Sequence, residues 1–94
     1  MENLIVENNL AKHRFEINLE GGTAFILYQK RGEEVYNLYH TEVPAQFEGK
    51  GVGGKLAKGT LEYIKGEGKK IIPTCPFVAA YLKRHPEYQD LVNE

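Results

Sequence analysis

A glycine-rich segment between a strand-like run and a helix-like run constrains this chain more than any other feature. Its eight residues, which include four glycines, are Glu48, Gly49, Lys50, Gly51, Val52, Gly53, Gly54 and Lys55. Glycine permits positive φ angles and lets a ligand approach main-chain N–H groups closely. The first turn of a helix leaves N–H groups unpaired and carries the positive end of the helix dipole. The segment therefore predicts a turn that binds a phosphate or pyrophosphate.

The residues before this turn have the pattern of strands. Phe15, Ile17 and Leu19 alternate with polar residues, and residues 23–30 and 35–43 form two further strand-like runs. Short turns at 20–22 and 31–34 separate these runs, and short turns join antiparallel strands because a parallel return needs a longer crossover. We therefore predict an antiparallel meander, with residues 4–8 as a candidate edge strand.

After the glycine turn the pattern changes to helix, strand and helix. Apolar residues recur every three to four positions over 52–65, as in an amphipathic helix, and residues 70–73 form a short strand. This order predicts a parallel strand pair joined by a right-handed crossover. Pro76 suits the first turn of a second helix, His85-Pro86 ends it, and residues 87–92 are a candidate last short helix. The predicted fold class is α/β (α+β), with a single domain over residues 1–94.

Composition excludes several classes of partner and cofactor. The chain has 94 residues and a net charge of −1, so no global field favours nucleic acid or an anionic membrane. No apolar run approaches the length of a membrane span, and no spacing supports a metal site. The single cysteine and the absence of a signal-like N-terminus lead us to expect a cytoplasmic protein.

Three fingerprints overlap on the glycine turn. The dinucleotide pattern fits Gly49, Gly51 and Gly54, but no acidic residue ends the next strand. The P-loop pattern nearly fits, but Leu56 stands where Ser or Thr would ligate magnesium. The third fingerprint resembles the Q/R-x-x-G-x-G/A motif of acetyl-CoA-dependent N-acetyltransferases. A meander followed by a glycine turn, a helix and a parallel strand suits the acetyltransferase core.

The wider pattern resembles the GNAT superfamily, and within it the short YjdJ-like branch. The matching blocks are His40-Thr41-Glu42-Val43-Pro44, Gly49-Lys50-Gly51, Pro73-Thr74-Cys75-Pro76-Phe77-Val78, Tyr81 and His85-Pro86-Glu87-Tyr88. The resemblance implies a truncated GNAT acyl-CoA N-acyltransferase core, with acetyl-CoA as cosubstrate and an unidentified amine, small molecule or protein lysine, as acceptor. It also implies that a pair of substrate-covering helices and the C-terminal strands are missing, so a second copy or another partner could complete the acceptor site.

The resemblance implies a CoA site around the glycine turn. In such a site the backbone of Val43 would hydrogen-bond the pantetheine arm, and the main-chain amides of the turn would bind the pyrophosphate. The family's Gln or Arg falls on Glu48, while a second register puts it on Gln46. We prefer the first register because it places Leu56 on the core face of the helix. The predicted cofactor-binding residues are Val43, Glu48, Gly49, Lys50, Gly51, Val52, Gly53, Gly54, Lys55 and Cys75.

Direct transfer of an acyl group needs a base for the amine and an acid for the departing thiolate. Cys75 follows the second parallel strand, where the thioester should lie, and can act as the acid, as a nucleophile or as a structural residue. Tyr81 is the other candidate acid. His40 and Glu42 share one strand face. They are candidate bases on the cofactor side, and the alternative that we favour is an exposed histidine beside a carboxylate at the surface. The alternatives are a CoA-binding module without turnover and a structural adaptor with a vestigial turn.

Overall fold

A computed structural model describes residues 4–93 as a five-stranded sheet covered on one face by two helices. The strands follow chain order across the sheet, so that each pairs with the next. They are β1 (Glu7–Asn9), β2 (Arg14–Leu19), β3 (Gly22–Arg31), β4 (Val35–Glu42) and β5 (Lys70–Pro73). The first four strands are antiparallel, and β4 pairs with β5 in parallel. Both features confirm the fold predicted from the pattern.

The parallel pair exists because a long helix returns the chain from β4 to β5. This helix, α1 (Val52–Gly66), is followed after β5 by α2 (Pro76–Arg84) and a final 3-10 helix (Pro86–Leu91). A short 3-10 turn, Ala45–Phe47, precedes the glycine segment. Pro76 occupies the first turn of α2, where its missing N–H costs nothing.

One continuous core lies between the helices and the sheet. On α1 the buried positions are those of the predicted apolar stripe, and on β3 Ala24, Ile26 and Tyr28 are buried while the residues between them are half-buried. The largest fully buried side chains are Phe15, Ile17, Ile26, Leu38, Leu56, Leu61, Ile64, Ile71, Val52, Val78 and Thr60. Burial of a large apolar side chain contributes about 1.5–3 kcal/mol, so this core holds α1 firmly over the strands.

The edge strand begins later than predicted. Residues 4–8 were expected to be extended, but β1 begins at Glu7 because Leu4 and Val6 pack against the core instead. Val6 lies so close to Gly59 that a Cβ there would collide with its side chain. The N-terminal segment therefore crosses α1 at a glycine. Within residues 4–93, no helix is long and apolar enough to cross a membrane.

A β-bulge in β4 was not predicted. Leu27 pairs with His40 and Tyr28 pairs with Leu38, so Tyr39 is an extra residue on β4. A bulge of this kind interrupts the alternation of side chains along a strand. Before it, Tyr36 and Leu38 face the helices; after it, Thr41 and Val43 do so.

Candidate cofactor cleft at the glycine turn

The site begins where the two parallel strands stop pairing. The pairing ends at Leu38 and Pro73, and one further bond of 2.9 Å joins the N–H of Cys75 to the carbonyl of Leu38. From there β4 continues to Glu42 along β3 alone. The backbone groups of this last part of β4 that point toward β5 are therefore left for another partner.

A cavity of about 310 Å³ opens between this free strand end and the start of α1. It draws its walls from β4, the 3-10 turn, the glycine turn and α2. The lining residues are Thr41, Val43, Phe47, Glu48, Gly49, Gly51, Val52, Gly53 and Phe77. A chain-like ligand could thus lie along β4 while its end reaches the helix N-terminus.

The start of α1 is an uncapped helix end that follows two glycines with positive φ angles. Gly51 precedes the helix at φ 80°, and Gly49 has φ 79°, a left-handed conformation that costs other residues about 1–2 kcal/mol. The first turn contains no acidic residue, and among residues 4–93 no side chain caps it. The amides of this first turn are therefore not bonded to a capping side chain, and Gly51, Val52 and Gly53 line the cavity at the positive end of the helix dipole.

Most of the predicted cofactor-binding residues meet at this cavity. Those that line it are Val43, Glu48, Gly49, Gly51, Val52 and Gly53. Lys50, Gly54 and Lys55 do not: Lys50 and Lys55 are exposed, and Lys55 borders a separate groove with Leu4 and Lys58. Charged side chains on a helix turn toward water, which accounts for their position.

The structure also separates the two registers of the motif. Gln46 donates a hydrogen bond of 2.8 Å to the carbonyl of Gly21, and so braces the β2–β3 turn rather than facing the cavity. Glu48 lies on the cavity wall. In the preferred register, the motif position therefore lies on the cavity wall and is occupied by a carboxylate.

Cys75 lies behind the cavity wall rather than on it. It is only 5% exposed, and its Sγ is 3.3 Å from the Oγ1 of Thr41, which does line the cavity. Cys75 is the residue before α2, and Pro76 holds the backbone there in an extended conformation. The thiol is thus fixed one side chain away from the cavity.

Tyr81 is directed toward the other end of α2. Its ring stacks on that of His85 at a centroid distance of 4.1 Å, and it does not line the cavity. Burial raises the pKa of Tyr81, and the charge of Glu87 raises it further. The hydroxyl therefore stays protonated at neutral pH, but its neighbours lie away from the glycine turn.

His40 and Glu42 lie on the face of the sheet opposite to the cavity. They alternate with Thr41 and Val43, and successive strand residues point to opposite faces. The favoured alternative of an exposed surface pair is therefore the one observed, and the bulge at Tyr39 turns both side chains away from the cofactor side. The two side chains contact each other, with 3.1 Å between Nε2 of His40 and Oε2 of Glu42.

Three cavity residues were not predicted from the sequence. Thr41 faces the cavity only because of the bulge, and β4 contains no glycine that would have predicted a bulge. Phe47 and Phe77 supply the aromatic walls, and a Cβ at Gly53 would come within 3.0 Å of the Phe77 ring. The clue for Phe77 was its place in the Cys-Pro-Phe-Val block.

Comparisons with known proteins agree with this geometry. Residues 14–91 match the sequence profile of the GCN5-related N-acetyl-transferase family. Protein NATD1 of Mus musculus is 34% identical over 83 residues, which cover 86% of this chain and 76% of the relative. Protein NATD1 of Danio rerio is 31% identical over 93 residues, covering 95% and 84%. The solution NMR structure of a GCN5-like protein of Staphylococcus aureus superposes with a TM-score of 0.72 at 30% identity, covering 99% of this chain and 91% of that one.

Proposed function

The chain belongs to the GCN5-related N-acetyltransferase family, and from that premise we propose that it binds acetyl-CoA at the glycine turn and transfers the acetyl group directly to an amine. The observation that carries this proposal is the cavity between the free end of β4 and the uncapped start of α1. It joins an anion site to an unpaired strand edge, which matches the pyrophosphate and the amide-containing pantetheine arm of CoA.

The donor set fits CoA at most positions. Amides at the start of α1 would receive the pyrophosphate, and the backbone of Val43 would hydrogen-bond the pantetheine amides. Phe47 and Phe77 would cover the apolar parts of the arm. The thioester would then lie near Thr41, in front of Cys75. Glu48 alone opposes an anionic ligand at this place.

The transfer itself requires a balanced movement of protons. The amine nitrogen attacks the thioester carbonyl, the C–N bond forms, the C–S bond breaks, and CoA leaves as a thiolate. The amine loses a proton to a base and the thiolate gains one from an acid. In our proposal the base is His40 with Glu42, across the strand gap from the cavity, and the acid is the Cys75 thiol, acting beside the Thr41 hydroxyl.

A second candidate function is a CoA-binding module without turnover. One observation favours it: neither Cys75 nor Tyr81, the two candidate acids, lines the cavity. Titration calorimetry with CoA and acetyl-CoA, together with release of free CoA thiol in the presence of amines, separates the two functions. Binding with amine-dependent thiol release supports the transferase. Binding without release for any amine supports the module, and no binding to either compound refutes both.

A further inference from the structure

Residues 73–76, which begin and end with proline, connect β5 to α2, and we call them the proline segment. Because proline has no N–H, the segment offers its neighbours two main-chain donors, those of Thr74 and Cys75. The N–H of Thr74 bonds back to the carbonyl of Ile72 at 3.0 Å, and the N–H of Cys75 bonds to the carbonyl of Leu38 at 2.9 Å. One of the two donors therefore attaches the segment to β4.

A side-chain hydrogen bond attaches the segment to β4 a second time, on the face of the sheet away from the helices. Tyr36 and Leu38 face the helices, so Asn37 between them points the other way. The Oγ1 of Thr74 donates a hydrogen bond of 2.5 Å to the Oδ1 of Asn37. Asn37 is only 7% exposed, and a buried amide group needs such a partner. This bond therefore approaches β4 from the side opposite to the cavity.

The next side chain of the proline segment points toward the cavity. The Sγ of Cys75 lies 3.3 Å from the Oγ1 of Thr41, which lines the cavity. Thr74 and Cys75 thus contact β4 from opposite sides, the first through Asn37 and the second through Thr41. A thiol forms only weak hydrogen bonds, so its contact with Thr41 contributes little to holding the backbone. The direction of the thiol therefore depends on the bond between Thr74 and Asn37.

We propose that Asn37 and Thr74 are positioning residues that hold the Cys75 thiol against Thr41 for acetyl transfer. This inference rests on the proposed function, in which that thiol protonates the departing CoA thiolate. Proton transfer requires hydrogen-bond reach, so a small rotation of the segment would disable the acid. Asn37 and Thr74 do not line the cavity, and their effect therefore falls on the rate of transfer rather than on the binding of acetyl-CoA.

The first experiment removes the hydroxyl of Thr74. Thr74→Val keeps the branched shape of the side chain, and the position is exposed, so the fold should stay intact. Thr23→Val is the matched control, because Thr23 also donates from its Oγ1 to an asparagine, Asn18, at 2.9 Å. We expect Thr74→Val to lower kcat about fivefold, the effect of one hydrogen bond of ordinary strength, with the KM for acetyl-CoA nearly unchanged. Thr74→Ser, which restores the hydroxyl, and Thr23→Val should both keep the natural kcat.

A double substitution separates positioning from a general weakening of the fold. If Thr74 acts through the thiol, Thr74→Val should leave kcat nearly unchanged in a protein that already carries Cys75→Ala. An equal loss of kcat in both backgrounds would overturn the proposal, because Thr74 would then act independently of Cys75. Full activity of Thr74→Val alone would overturn it as well.

A third measurement does not depend on turnover. The chain has one cysteine, so alkylation by iodoacetamide reports on Cys75 alone. The thiol is 5% exposed, and the reagent reaches it when the proline segment opens. We expect alkylation to be about fivefold faster in Thr74→Val than in the natural protein and in Thr23→Val, and urea unfolding of the same proteins identifies any contribution from global unfolding.

The alkylation rates also separate this inference from the proposed function. Faster alkylation of Thr74→Val, with no acetyl transfer by any of the proteins, would support the hold on Cys75 while refuting the proposed function. Equal alkylation rates in Thr74→Val and Thr23→Val would overturn the inference whatever the activity.

Discussion

Replacement of Glu48 by glutamine should increase the affinity for CoA. Glu48 lies on the wall of the cavity, next to the glycine turn that we assign to the pyrophosphate. The side chain is exposed, and glutamine has nearly the same shape, so the substitution removes a charge without disturbing the fold. The family motif has glutamine or arginine at this position, and neither repels an anion.

The magnitude follows from the size of the cavity. A volume of about 310 Å³ is roughly 8 Å across, so a wall carboxylate lies about 7 Å from a bound pyrophosphate. At that distance two unit charges interact by about 0.6 kcal/mol in water, and a doubly charged group by about 1 kcal/mol. We therefore expect Glu48→Gln to tighten CoA binding about fivefold at low ionic strength.

Titration calorimetry of CoA against the natural protein and Glu48→Gln measures this difference. Pantetheine, which has no phosphate, should bind both proteins equally, and Glu33→Gln in the β3–β4 turn should leave CoA binding unchanged. The gain should shrink toward zero at about 1 M salt, where the screening length is about 3 Å. An unchanged or weakened CoA affinity in Glu48→Gln would refute the assignment of the pyrophosphate to this turn.

Three further substitutions test separate parts of the account. Gly51→Asp should abolish CoA binding, because it places a negative charge and a side chain at the helix start. Gly54→Ala, where a Cβ meets open space, should leave CoA binding intact. Titration calorimetry with CoA on the folded variants measures both affinities. Cys75→Ala should lower the rate of acetyl transfer at least tenfold, which corresponds to about 1.4 kcal/mol of activation free energy, with CoA affinity changed less than twofold. Equal rates in the variant and the natural protein would mean that Cys75 is only a core residue. Tyr88→Phe should cost about 1 kcal/mol of unfolding free energy at pH 7, because it removes the 2.5 Å hydrogen bond to Glu62. Burial and that hydrogen bond raise the pKa of Tyr88 well above 10.0, so the stabilisation should be full below pH 10 and should fall as the pH rises further. Urea unfolding of the natural protein and of Tyr88→Phe at pH 8 and 10.5 measures this. An equal loss of unfolding free energy in the two proteins between these pH values would contradict the prediction.

The sequence was informative wherever local pattern decides structure. Alternating apolar residues identified the meander, and the glycine turn with its helix identified the parallel crossover to Ile71-Ile72. The start of β1 was missed because Val6 packs on Gly59, a contact between residues far apart in the chain. Local pattern contains no information about such a contact.

The candidate site was predicted in part for the same reason. The glycine turn is a local feature, and five of its residues line the cavity together with Val43, which was also predicted. The bulge at Tyr39 decides which side chains of β4 point to each face of the sheet. The bulge arises from the pairing with β3, and no residue type in β4 predicts it. Because of this one extra residue, Thr41 faces the cavity, and His40 and Glu42 lie on the opposite face of the sheet.

Titration of isotopically labelled protein with acetyl-CoA, followed by amide chemical shifts, tests the central claim most directly. We predict saturable shifts concentrated at Thr41, Val43 and Gly49 through Gly53, with Glu7 on the edge strand β1 nearly unchanged. Absence of shifts at millimolar acetyl-CoA would contradict the account. So would shifts confined to the separate groove beside Lys55, because the cofactor would then lie outside the glycine turn.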